Sequence, residues 1–178
     1  YASDARLAAA LAAAEEGGYR YAVKLVRGAY IEQERAFGVV RATKEDTDAA
    51  YDAATASLLA SIASGSKAAV LVATHNRASL AQAVAEMDRL GLERDHPQVH
   101  FAQILGMVDN LTNALGLAGY NVAKLVVFGD PRDILPWLLR RVQENRDAFG
   151  AQAVELPVLR TELRRRLLVA RGGAVDGR

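Results

Sequence analysis

The apolar residues of this chain switch period repeatedly, and that alternation narrows the accessible folds more than any other feature. Runs rich in β-forming residues at 20–26, 68–73, 99–105 and 122–128 are separated by longer stretches of helical spacing. Strands that alternate with helices through short connections form a parallel sheet with right-handed crossovers. The strand runs are almost continuously apolar, the pattern of strands covered on both faces. Helix signals bracket them. Residues 3–16 have Ser3 as a candidate N-cap and Gly17-Gly18 as a stop, and 43–64 opens with Thr43 and Asp46 at capping-box positions before closing at Gly65. Asn76 precedes a helix at 77–90 that Gly91 terminates, and a short helix runs to Ala118. Asp130-Pro131 opens a further helix to about 147, proline suiting the first turn, and a last one covers 156–169.

Four β-α units fit either an open doubly wound sheet or part of a (β/α)8 barrel. A complete barrel takes about 250 residues, and this chain has 178. No linker rich in Pro, Gly or Ser divides it, which predicts one domain over 1–171 and a flexible tail at 172–178. In both architectures functional groups collect where strands end. The polar residues there are Arg27-Gly28-Ala29-Tyr30, Thr74-His75-Asn76, Gln103 with Asp109, and Gly129-Asp130.

With 51% hydrophobic and 24% charged residues the chain has the material for a core, which excludes disorder. A net charge of +1 with scattered basic residues predicts no nucleic-acid partner. No uncharged apolar stretch reaches the roughly 18 residues of a membrane span. Asp4, Arg6, Glu15 and Glu16 break up the Ala-rich start, unlike a signal peptide. The absence of Cys removes disulfides, thiolate metal sites and thiol nucleophiles, and three scattered His lack metal-ligand spacing, so no metal is expected.

Lys24 stands inside the first strand among apolar neighbours, where a lysine needs a partner, a function or a path for its stem to water. Arg27 falls on the opposite pleat and, beside Gly28, makes a candidate anion-binding turn. His75 is a candidate acid, base or hydrogen-bond donor to a cofactor, or else a helix-entry histidine satisfied by backbone. His96 and His100 are expected to be structural. Arg140 and Arg141 point about 100° apart on their helix, so both reach one carboxylate only if that helix lies across the site. Glu144 is spaced i+4 and i+3 from them, where it can hold either guanidinium. Arg164-Arg165-Arg166 in the last helix is expected to be a solvated face.

In this order and spacing, KLVRGAY (24–30), ATHN (73–76), FAQILGM (101–107), LGLAGYNVAK (115–124) and LPWLLRRVQEN (135–145) closely resemble the proline dehydrogenase family. ELPVLRTELRRRLL (155–168) resembles that family's C-terminal helix. The resemblance implies a (β/α)8 barrel that binds FAD and oxidises L-proline to Δ1-pyrroline-5-carboxylate, this chain being its second half. It further implies that Lys24 lies near the flavin N5 as a catalytic residue. Arg27, Gly28, Ala29 and Tyr30 would border the cofactor, Thr74, His75 and Gln103 would contact it, and Lys44 and Thr47 would fall near its adenine end. Arg140 and Arg141 match the clamp on the substrate carboxylate, with Glu144 as their acidic partner.

Leu125 stands where the family usually has a tyrosine against the substrate ring, which leaves hydroxyproline as the alternative substrate. The family's early strands, with a catalytic-site lysine and a flavin-side aspartate, have no counterpart in this sequence, so the isolated segment is expected to be inactive. Relatives of the KLVRGAY type imply an enzyme of the mitochondrial inner membrane, matrix side, passing electrons to quinone through peripheral membrane association. A bacterial membrane-associated enzyme is the alternative. Two other readings compete: a phosphate-binding barrel or lyase using the Gly28 and Gly129 turns, and a non-catalytic barrel fragment.

Overall fold

The structure is a computed structural model that describes residues 3–144, 156–157 and 160–167. The chain divides into two compact units, Tyr1–Glu144 and Asn145–Arg178, a boundary inside the expected domain of 1–171. In the first unit, strands β1 (Tyr21–Leu25), β2 (Ala68–Ala73), β3 (Val99–Ile104) and β4 (Val122–Leu125) form one parallel sheet in sequential order. β1 and β4 are its edges. Around it run helices α1 (Ser3–Gly17), α2 (Ile31–Arg35), α3 (Lys44–Ala63), α4 (Arg77–Leu90), α5 (Asp109–Leu117) and α6 (Pro131–Glu144). The architecture is α/β, the four parallel βα units expected of half a barrel. In the second unit residues 156–157 and 160–167 are helical, and Glu162 pairs with Arg165 and Arg166 on an exposed face. The remainder of that expected helix and the tail at 172–178 lie outside the described residues.

The helices start and stop for local reasons. The Thr43 hydroxyl accepts from the Asp46 N–H at 3.0 Å, and Glu45 and Asp46 set negative charge against the positive end of α3. The Asn76 side chain accepts from the Ala78 and Ser79 amides, and Gly91, left-handed at φ 69°, closes α4. Asp130 accepts from the Arg132 N–H at 2.8 Å and so caps the helix that Pro131 begins.

One face of the sheet holds the core. Val70 and Val72 of β2 and Val99 and Phe101 of β3 pack against Leu58, Leu59 and Ile62 of α3 and Leu80, Ala83 and Met87 of α4. Phe101 meets the Tyr120 ring edge to face, 5.8 Å between centroids. The opposite face carries Ala22 and Lys24 of β1, Ala69, Leu71 and Ala73 of β2, His100, Ala102 and Ile104 of β3, and Ala123 and Leu125 of β4, all half-buried or exposed.

Four sequence expectations change. The strands alternate in burial instead of being covered twice, because α3, α4 and α5 pack on one side only. β4 stops at Leu125 instead of 128, since β3 has already ended at Ile104 and offers residues 126–128 no ladder. Ser3 is itself helical, so it does not precede α1 as a cap. The five-residue α2 has no counterpart in the sequence pattern, being too short to show an amphipathic period.

In the full-length protein Phe101→Ala is expected to lower unfolding stability by about 3–5 kcal/mol, the cost of emptying a closed core site. Leu117→Ala, at a side chain 91% exposed, should change it by less than about 0.5 kcal/mol. Chemical denaturation midpoints measure both.

Candidate active site at the strand ends

Arg27 leaves β1 on the core side and is 14% exposed. Its Nη1 lies 2.7 Å from the Asp48 carboxylate of α3 and donates to the Ser79 hydroxyl of α4 at 3.1 Å, while Nη2 donates to the Thr74 hydroxyl at 3.1 Å. The guanidinium also sits over the Tyr51 ring, 5.0 Å from its centroid. Lys44 shares Asp48 from the first turn of α3, at 2.7 Å. Thr47 instead donates back to the Thr43 carbonyl of its own helix.

The polar chain continues behind the sheet. Gln103, 2% exposed, donates to the Thr74 carbonyl at 3.4 Å and accepts from the Thr112 hydroxyl at 2.8 Å. Its amide is thus engaged on the core side, away from the exposed face. His75 bridges the gap where β2 ends: its Nε2 accepts from the Ile104 N–H at 3.0 Å, which requires an unprotonated Nε2 and places the proton of the neutral ring on Nδ1.

After β1, Gly28 adopts φ 70°, and a Cβ there would meet Ile31 at 3.3 Å, so the turn calls for glycine. Ala29 follows in the same turn. Tyr30 is left-handed at φ 60°, and its ring lies beneath both arginines of α6, 5.0 Å from Arg140 and 5.9 Å from Arg141. Trp137, one turn earlier on α6, lies 5.3 Å from Arg141. Adjacent arginines on one helix therefore converge on a single ring, the geometry that a helix lying across a site provides. The Glu144 side chain lies outside the described residues.

On the exposed face the register produces rows. Lys24 pairs with Leu71 and Leu71 with His100; Ala73, Ala102 and Ala123 stand side by side one step further along; Ile104 and Leu125 form the outermost pair. Ala22 and Ala69 fill the row below Lys24. The alanine rows leave room for a flat ring system above the sheet, with the Lys24 ammonium on the same side. Lys24 and Arg27 face opposite sides, as their spacing predicts.

The structure thus gathers Arg27, Thr74, Gln103 and Lys44 behind the sheet, Tyr30, Arg140 and Arg141 at its mouth, and Lys24 and Leu125 on the open face. Sequence inspection passed over Asp48, Tyr51, Ser79, Thr112 and Trp137. Of these only Trp137 carries a legible signal, an aromatic three and four residues before the paired arginines. Among the described residues no group of three His, Asp or Glu is placed to hold a metal.

The proline dehydrogenase family model matches residues 1–152. The chain belongs to the proline dehydrogenase family. It is 40% identical to hydroxyproline dehydrogenase of Bos taurus over 164 residues, covering 88% of this chain and 35% of that protein. It is 38% identical to mitochondrial proline dehydrogenase 1 of Homo sapiens over 161 residues, covering 86% and 27%. The crystal structure of proline utilization A from Bdellovibrio bacteriovorus, inactivated by N-propargylglycine, superposes with a TM-score of 0.72 at 23% identity, over 81% of this chain and 15% of that one. The chain spans about a quarter to a third of the length of the curated family members it matches.

Burial lifts the Tyr51 phenol far above its ordinary value, against the opposing charge of Arg27. The folded state therefore keeps this proton while the unfolded chain releases it near pH 10. Folded protein holds more protons, so stability falls as pH rises past about 10. Tyr51→Phe is expected to flatten that part of the profile, measured by denaturation at pH 9 to 11.

Proposed function

We propose that this chain supplies one half of an FAD-dependent proline dehydrogenase barrel, the other half being a complementary set of four βα units. The observation that carries this reading is the convergence of Arg140 and Arg141 over Tyr30, beside an alanine-paved sheet face that bears Lys24. Paired guanidinia match a carboxylate with parallel N–H···O bonds. The apolar exposed face and two unpaired strand edges call for further strands to cover them.

The residues fit FAD: a flat space over alanine, a cation on the same face, and a glycine-containing turn after β1. Lys24 would lie by the flavin ring and Arg27, Gly28, Ala29, Thr74 and His75 along the cofactor, Arg27 and Thr74 acting from behind the sheet. Lys44 and Thr47 would fall towards the adenine end. Gln103 supports Thr74 in this arrangement, and Tyr30 belongs to the clamp as much as to the cofactor border.

FAD, when bound, supplies the two-electron acceptor. Arg140 and Arg141 bind the proline carboxylate, with Glu144 as their acidic partner, and so hold the ring carbon next to nitrogen at a fixed distance. The N–CH2 carbon, on the side of nitrogen away from the carboxylate, would give up a hydride to the two-electron acceptor and the nitrogen would release its proton to water, leaving the C=N bond of Δ1-pyrroline-5-carboxylate. The Lys24 charge favours the negative character that builds up on the acceptor side. Leu125 provides an apolar wall for the ring.

Hydroxyproline is the second reading, supported by the relatives that bear that name and by the absence of a tyrosine at 125. Leucine offers the hydroxyl no partner, and an unpaired buried hydroxyl costs about 1–3 kcal/mol, so proline is favoured. Relatives named mitochondrial support that location. We assign the inner membrane, matrix side, with peripheral association, and quinone as acceptor; no helix among the described residues is long and apolar enough to cross a membrane.

In the full-length enzyme Arg140→Met and Arg141→Met are each expected to weaken proline binding by about 2–5 kcal/mol while FAD content holds. Unchanged proline kinetics in both would remove the carboxylate role. Leu125→Tyr should raise the kcat/KM ratio of proline over trans-4-hydroxyproline. A wild-type preference for hydroxyproline would overturn the proline assignment and leave the clamp standing.

A further inference from the structure

Lys124 lies on β4 next to Leu125, its side chain 18% exposed on the core side of the sheet. Its ammonium has three partners, all in or beside the connection from β3 to α5. They are the Met107 carbonyl at 2.6 Å, the Asp109 carboxylate at 2.6 Å and the Ile104 carbonyl at 3.4 Å. Within that connection Val108 is left-handed, φ 44° and ψ 44°, and 7% exposed. A β-branched side chain crowds the backbone in this region, and Val108 makes no capping bond that would compensate. Such a conformation persists only where its surroundings hold it. Lys124 grips the residues on both sides of it, Met107 before and Asp109 after.

The grip reaches the open face through Ile104. Its N–H is held by His75 and its carbonyl by Lys124, and its register partner is Leu125. Ile104 and Leu125 are the outermost row of the exposed face, so their position sets the wall that a ring lying on this face would meet.

We propose that Lys124 is a positioning residue: its ammonium locks the β3–α5 turn in the left-handed form at Val108 and thereby fixes the Ile104–Leu125 wall against the substrate ring. The substrate side rests on the proline reading; the lock itself does not.

A double-mutant cycle in the full-length flavoprotein tests it, with Lys124→Met, Val108→Gly and the pair; glycine takes a positive φ without strain. Lys124→Met is expected to raise the KM for proline about tenfold with kcat within about threefold, and to speed amide exchange across residues 105–111 about tenfold. In the Val108→Gly background the same change should cost about threefold or less, because no strained turn remains to be held. Equal losses in both backgrounds would overturn the lock, since removal of an ion pair alone is indifferent to residue 108. A fall in kcat with KM unchanged would overturn the positioning role. Amide exchange needs no turnover, so a wild-type enzyme that fails to oxidise proline sinks the substrate reading and leaves the lock decided. If Lys124→Met does not fold, Asp109→Ala, which removes one of the same contacts, enters the cycle in its place with the same two readouts.

Discussion

A guanidinium taken out of water at the end of an edge strand must have its charge and its N–H groups met by protein, or it costs several kcal/mol. Arg27 is in that position, and what meets it comes from three separate elements: Asp48 on α3, Thr74 at the end of β2 and Ser79 on α4, with the Tyr51 ring beneath. None of these is local in sequence, so the charge can be desolvated only once β1, α3, β2 and α4 are assembled together. Loss of any one leaves the others facing an unsatisfied ion. The first two βα units therefore form as one cooperative piece, and their strand ends are held at fixed relative heights.

From Thr74 the same logic runs on through Gln103 to Thr112, each polar group meeting the next behind the sheet. The strand ends are tied together on the core side, and the open side is left to binding groups. Pleat parity creates this division. Lys24 faces out where Arg27 faces in, Ile104 faces out beside the inward Gln103, and Leu125 beside the inward Lys124. A one-residue slip in any strand would exchange the two sets, so the hydrophobic core that fixes register also fixes which residues are available to a ligand.

The sequence made the architecture readable because its signals were local: Thr43 and Asn76 cap where their residue types predict, Gly91 closes α4, and the β2 run at 68–73 is the observed strand. The parallel sheet followed from the alternation, and its sequential order from the half-barrel that the family resemblance implied. What stayed hidden depended on long-range pairing. Asp48 looks like any solvated acid four residues after a lysine, and only the fold places it against Arg27. Gln103 is a polar residue in a strand end, and nothing in the sequence tells whether it faces a ligand or the core. The convergence of Arg140 and Arg141 was conditional on the tilt of α6, which no spacing encodes; in the structure both guanidinia approach the Tyr30 ring. The alanine rows were visible as composition, but they become a surface only when the register aligns Ala73, Ala102 and Ala123.

Among the described residues two that are not glycine, Tyr30 and Val108, adopt left-handed backbone, and both follow strand ends at the rim of the candidate site. Strain of this sort costs about 1–3 kcal/mol per residue and is stable only where neighbours over-determine it. The neighbours in both cases are cations from a different element: Arg140 and Arg141 against the ring of Tyr30, Lys124 against the peptides flanking Val108. The compensation is thus long-range in each turn, and it is lost if α6 or β4 moves. The two strained turns lie beyond the ends of two different strands, one after the edge strand β1 and one after the interior strand β3, and each is held by its own set of cation contacts. Over-determination of each turn by a distant cation favours rigid backbone at these strand ends over turns that relax independently of the rest of the fold.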